Sequence, residues 1–295
     1  MKFIFTKVFI VAVFSVFLNL NAQTEQYVET NDNVKLFSKK SGSGPICIFV
    51  HGGPGAWSRS FEDLGGSNLE DKLTMIYYDQ RGSGRSEDAK NVDYSLDRMV
   101  EDIEAIRKKY NAKKVFLMGH SFGGILISSY AKKYPQNLKG LIFLNSTLHV
   151  NESMQNQISY MQTFMDDEFK NSTDFGALRY QMQQKGMLHT LLTESKENSD
   201  LLDKVDSYNP SNYTFGSKAF NIQEYHKDFS EDSPFIKTPS LVITGTKDFA
   251  IGVDHYKKFK FPNMEVKSIE GGHLLYYEKN KELKDALVAF VQKHK

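Results

Sequence analysis

Lys114-Val115-Phe116-Leu117-Met118-Gly119-His120-Ser121-Phe122-Gly123-Gly124 joins a short apolar, β-leaning run to a serine set between glycines. Apolar residues then recur at helical spacing over 124–134, and Pro135 stops the pattern. A strand, a sharp turn and a helix in that order lift a serine hydroxyl above a sheet edge. The flanking glycines let the backbone approach closely there. Ser121 is therefore a candidate nucleophile.

Working outward, further strand-to-loop units flank this one. Ile46–Val50 runs into the glycine loop His51-Gly52-Gly53-Pro54-Gly55, and residues 73–78 run into Asp79-Gln80-Arg81-Gly82. Residues 138–145 read as another buried strand, and the α/β pattern resumes at 240–245 and again at 264–269. Helices are expected over 96–110, with Ser95 as its N-cap, and over 282–292. Alternating strands and helices predict an α/β fold whose mostly parallel central sheet carries helices on both faces. Residues 27–39 alternate across Asn31-Asp32-Asn33, which suggests an antiparallel hairpin at a sheet edge. From 146 to 237 glycine becomes scarce while Met, Gln, Lys and Tyr become common. That segment reads as a helical cap inserted between the two parts of the core, 23–145 and 238–295. Met154, Ile158, Met161 and Met165 recur in it at helical spacing, either to pack or to line a pocket.

Composition narrows the function. With 295 residues and a formal charge of +1, the chain lacks the basic footprint of nucleic-acid or anionic-membrane binding. Cys47 is the only cysteine, so no internal disulfide forms; within an apolar strand it reads as a small buried hydrophobe. Lys2 and Lys7 flank the start of an apolar run over 8–20, of signal-peptide length and short for a membrane span. Cleavage after Ala22 would leave Gln23 first and export the mature protein to the periplasm or medium, with no stable membrane insertion.

A serine hydroxyl needs a base, and the base needs an orienting group. Asp248 follows the 240–245 strand and His273 follows the 264–269 strand. Loops leaving the carboxyl ends of parallel strands meet in one crevice, and the chain order Ser, Asp, His is that of an α/β-hydrolase. Oxyanion donors are expected from the backbone N–H of Phe122, just after the serine, and of Gly53 in the first glycine loop. His51 and His120 lack metal-ligand spacing and read as loop and turn residues. His149, His189, His226, His255 and His294 read as solvent or cap residues. Asp79, Arg81 and Arg85 read as braces of their own loop. No cofactor or metal is implied.

His-Gly-Gly-Pro-Gly at 51–55, Asp-Gln-Arg-Gly-Ser-Gly-Arg-Ser at 79–86 and Gly-His-Ser-Phe-Gly-Gly at 119–124 together resemble the proline iminopeptidase family of α/β-hydrolases. The resemblance implies a serine peptidase that releases an N-terminal residue, often proline, from short peptides. It implies Ser121 as nucleophile, Asp248 as orienting acid, His273 as base, and Gly53 and Phe122 as oxyanion donors. It further suggests Glu224, in a segment shortly before the strand leading to Asp248, as an anchor for the substrate amine. A carboxylesterase or lipase-like enzyme could use the same triad on an ester substrate, and a hydrolase-like binding module could share the fold.

Overall fold

Apolar runs become strands in this chain because both faces of the sheet are covered. In β3 (Ile46–Val50), Ile48 and Val50 join the apolar cluster on one face, while Cys47 and Phe49 join that on the other. The computed structural model describes residues 24–209 and 212–295. The expected export segment, 1–22, lies outside them.

Eight strands form one sheet: β1 (Thr24–Glu29), β2 (Lys35–Gly42), β3, β4 (Thr74–Tyr78), β5 (Val115–Ser121), β6 (Leu138–Ser146), β7 (Ser240–Gly245) and β8 (Met264–Ile269). Their spatial order is β1-β2-β4-β3-β5-β6-β7-β8. The β1–β2 hairpin pairs antiparallel, as does β2 with β4; every other pairing is parallel. The fold is thus α/β, with a mostly parallel sheet. The hairpin is longer than residues 27–39, because β2 continues to Gly42 against β4.

Helices α1 (Ser58–Asp63) and α9 (Asn280–His294) cover one face, with Phe61, Leu283, Leu287 and Phe290 in its cluster. On the other face lie α2 (Leu96–Lys109) and α3 (Gly123–Lys133), which contribute Met99, Ile103, Ile125 and Leu126. The Ser95 hydroxyl accepts from the Arg98 N–H and caps α2, whose last turn carries Arg107, Lys108 and Lys109 against its negative end. Short helix α8 (Leu275–Glu278) precedes α9.

Between β6 and β7 the chain forms α4 (Val150–Gln162), α5 (Phe175–Gln184), α6 (Lys196–Asp206) and α7 (Thr214–Ala219). Ile158 and Met161 pack with Leu178, Met182 and Leu191 in an apolar cluster of their own, with Met165 against it. Met154 packs on the main core. The methionine stripe is therefore packing. Tyr160 of α4 stacks on Phe249 at 3.9 Å and docks this helical layer on the loop after β7.

One buried cation joins three elements. Arg81, wholly inaccessible, donates to both oxygens of Asp102 on α2 at 2.6 and 2.7 Å. It also reaches Asp32 in the hairpin turn at 2.8 and 3.1 Å. Removing one partner of such a pair leaves the other charged, buried and alone. Arg81→Met should cost about 3–5 kcal/mol in urea unfolding. Arg59→Met, breaking the exposed Arg59–Asp63 pair, should cost less than about 1 kcal/mol.

Candidate active site

Ser121 closes β5 with φ 54°, where a register shift interrupts its pairing with β6. A non-glycine residue in that region is strained and persists only where its surroundings hold it. Two close approaches do so. A Cβ on Gly123 would fall 2.2 Å from the Val50 carbonyl oxygen, so only glycine lets α3 begin so near β3. A Cβ on Gly52 would fall 2.7 Å from the Ser121 Cβ, so the 51–55 loop lies directly against the serine.

The base and its orienting acid meet behind the serine. The His273 Nδ1–H faces both Asp248 oxygens, at 3.0 and 2.9 Å, and both side chains are buried. Asp248 is itself fixed by the N–H groups of Ala250 and Ile251. With Nδ1 engaged by the carboxylate, Nε2 is the nitrogen left for proton transfer. Ser121, His273 and Gly53 line one cavity of about 300 Å³. Within the described residues, neither the Gly53 nor the Phe122 N–H makes a backbone hydrogen bond, as oxyanion donors require.

Asn145 holds these loops in register, and the sequence reading missed it. Its amide donates to the carbonyls of Gly272 and His273 at 2.9 and 2.8 Å and accepts from the Gly245 N–H at 2.8 Å. One side chain thus ties the end of β7 to the loop carrying His273. Its only sequence signal was position: a polar residue at the carboxyl end of a buried strand. Asn145→Ala should slow fluorophosphonate labelling of Ser121 by about 100-fold, with unchanged circular dichroism, because small misplacements of reacting groups cost that much.

His51 braces the glycine loop. Its Nε2 accepts from the Gln80 N–H at 2.9 Å, and the Gln80 side chain donates to the His51 carbonyl at 2.7 Å. Next to it Asp79 takes the Ser58 N–H and hydroxyl and the Arg85 guanidinium. Asp79, Arg81 and Arg85 therefore brace loops.

The structure corrects two expectations. Glu224 does not line the Ser121 cavity. Its carboxylate accepts from the Leu96 N–H at 2.7 Å, drawn to the positive N-terminal end of α2. The carboxylate that does line the cavity is Asp206, at the end of α6. It accepts from the Trp57 indole N–H at 2.8 Å and the Ser60 hydroxyl at 2.5 Å, and has no ion-pair partner among the described residues. His255, expected near solvent, is buried, and its Nε2 accepts from the Leu148 N–H at 3.0 Å.

Burial pushes the imidazoles of His51, His120 and His255 below the ordinary histidine value of 6.5, His255 to about 4. The neighbouring Glu152 and Asp248 pull His255 back upward, and His149 and Lys258 oppose them. Because these folded-state values are depressed, the unfolded chain takes up protons first as pH falls from 6.5. Stability is then lost down to the folded value. Unfolding free energy should fall in wild type between pH 6.5 and 4. His255→Gln should flatten that slope by about 1 kcal/mol per pH unit; an unchanged slope in urea titrations would contradict the assignment.

Comparison with known proteins places the chain in a family. The family model for the alpha/beta hydrolase fold matches residues 45–280. A proline iminopeptidase of Thermoplasma volcanium is 28% identical over 267 residues, covering 83% of this chain and 88% of the relative. Among solved structures, a proline iminopeptidase of Mycobacterium smegmatis superposes with a TM-score of 0.76 at 18% identity, over 92% of this chain and 98% of that one. An esterase from Exiguobacterium antarcticum gives 0.72 at 18% identity, over 91% and 100%. At those identities the two structures speak for the fold alone.

Proposed function

We propose, from the premise that the chain belongs to the alpha/beta hydrolase family, that it is a serine aminopeptidase releasing N-terminal residues, proline preferred, from short peptides. The observation that carries this reading is the company kept in one cavity. Ser121 and His273 share it with a single carboxylate, Asp206, already oriented by Trp57 and Ser60. A carboxylate held there suits a substrate ammonium. Asp206 keeps contact with solvent, so selection comes from the ion pair a free amine gains and a blocked N-terminus cannot make. The name and coverage of the Thermoplasma relative support the same substrate class.

In this mechanism the Ser121 Oγ attacks the scissile carbonyl carbon while the His273 Nε2 takes its proton. Asp248, bonded to Nδ1–H, stabilises the imidazolium that forms. The carbonyl oxygen becomes an oxyanion facing the N–H groups of Gly53 and Phe122. Collapse of the tetrahedral adduct breaks the C–N bond, and the His273 proton passes to the leaving amine. Water then attacks the acyl-enzyme with His273 again as base, freeing the N-terminal residue and restoring the serine proton.

A second reading, carboxylester hydrolysis with the same groups, is favoured by the aromatic and aliphatic side chains in the cavity wall, among them Phe49, Trp57, Leu202 and Tyr276. One comparison separates the two: rates for proline β-naphthylamide, its N-blocked form, alanine β-naphthylamide and p-nitrophenyl butyrate. Rapid release from the free prolyl amide, with the blocked form refused, is expected. Ester cleavage indifferent to the amine would replace this reading with the second. Ser121→Ala should lower turnover by about 10,000-fold or more in a folded sample. Asp206→Asn should reduce the free-to-blocked preference by about 10- to 100-fold, the worth of a charged hydrogen bond.

A further inference from the structure

The chain has six arginines. Five are spent on carboxylates: Arg59 on Asp63, Arg81 on Asp32 and Asp102, Arg85 on Asp79, Arg98 on Asp32 and Arg107 on Glu104. The sixth, Arg179 on α5, has no hydrogen bond or ion pair among the described residues; its recorded contact is the Phe175 ring at 5.6 Å. It is also half-buried. Burial pulls its guanidinium below the ordinary arginine value, and no carboxylate offsets that pull. A half-desolvated cation without a partner costs stability unless something else uses it.

Its location indicates the use. Arg179 lines the Ser121 cavity, and together with Leu191 and Leu192 it also lines an adjoining cavity of about 340 Å³ beneath α5 and α6. The two spaces meet along these three residues. Asp200 and Asp203 face the adjoining cavity and Asp206 faces the first, yet none comes within ion-pair distance of Arg179. Asp200 is taken by Lys196 at 2.6 Å. The Ser121 cavity thus holds one unpaired carboxylate, Asp206, and one unpaired guanidinium. Opposite fixed charges in a small site match a short zwitterion.

We propose that Arg179 receives the free α-carboxylate of the leaving residue, so that the enzyme selects short peptides with an open C-terminus, dipeptides above all. This rests on the aminopeptidase reading. Asp206 would hold the ammonium, Ser121 would meet the scissile carbonyl between them, and the guanidinium would take the carboxylate through two parallel N–H···O bonds. A C-terminal amide loses the charge and offers the fork one acceptor oxygen in place of two. The bond broken is still the one Ser121 attacks, and no further reactant is needed.

The test is the ratio of kcat/KM for prolyl-glycine over prolyl-glycinamide, measured on the full chain and on Arg179→Met and Arg179→Lys. Wild type should favour the free acid by about 10-fold or more. Arg179→Met should bring the ratio near one, and Arg179→Lys, a point charge without the fork, should fall between. Each ratio is internal to one sample, so partial unfolding of a variant does not disturb it. A wild-type ratio near one, or a ratio that survives in Arg179→Met, overturns the proposal. If no prolyl or alanyl amide is cleaved at all, the aminopeptidase reading fails separately. Arg179 is then read from protection of Ser121 against a fluorophosphonate by 4-phenylbutyrate and by 4-phenylbutyramide. Better protection by the acid, lost in Arg179→Met, sustains a carboxylate site; equal protection by both overturns it.

Discussion

Parallel pairing of β4, β3, β5, β6, β7 and β8 sends the carboxyl ends of six strands to one edge of the sheet. The serine, its partners and the loops around them follow from that constraint. His51 is one residue past β3, Asp79 one past β4, Ser121 closes β5, and Asn145 is the penultimate residue of β6. Asp248 lies three residues past β7 and His273 four past β8. Hydrogen-bonded strands pack about 5 Å apart, so short loops from neighbouring ends can touch without long excursions. Asn145 completes the arrangement by bonding across the ends of β7 and β8. A core of this kind places its reacting groups by backbone geometry, before any substrate contact is made.

The electrostatics of the site divide into a neutral interior and a charged rim. His51 and His120 are kept uncharged by burial, and each spends a ring nitrogen on backbone, His51 on the Gln80 N–H and His120 on the His273 carbonyl. The buried charges near them are matched: Asp79 by Arg85, Arg81 by Asp102 and Asp32. Asp248 is the carboxylate bonded to the His273 ring, and it orients the imidazole. Among the described residues lining the Ser121 cavity, the charges without an ion-pair partner are Asp206 and Arg179, on the helical layer.

What could be read in the sequence tracks what local physics determines. The strand-turn-helix around Ser121 is a local pattern. The strand before Asp248 is an apolar run and that before His273 alternates, and both have ends that can be counted, so the three residues could be named from order and context. Glu224 failed for the opposite reason. Nothing in residues 220–225 says which way the chain turns after α7, and a carboxylate that stops beside a helix N-terminus is captured by the unpaired N–H groups there. His255 was misjudged because a histidine in a polar stretch gives no sign that Leu148 will donate to it. Asp206 and Arg179 stand on amphipathic helices among many solvated charges, and only their place on the cavity wall, without an ion-pair partner among the described residues, singles them out.

The division between core and helical layer also explains why chemistry is better defined here than substrate. The core's loops are fixed by a continuous sheet, whereas α4 and α5 share a small apolar cluster of their own, and α6 lays Leu202 and Val205 on the core. Several polar contacts cross directly between the two; among them, the Ser60 hydroxyl reaches Asp206, and the His273 N–H donates to the Leu192 carbonyl at 2.9 Å. Trp57, which is buried and lies four residues past Gly53, donates its indole N–H to Asp206. The cavity carboxylate is therefore held by the same stretch of chain that presents the Gly53 N–H to the oxyanion. On the proposed reading, an ammonium at Asp206 would be registered against the 51–57 loop through the Trp57 hydrogen bond. Substrate selection and transition-state stabilisation would then be coupled through the Trp57 and Ser60 hydrogen bonds to Asp206, while the serine and aspartate stay set by loops at the strand ends.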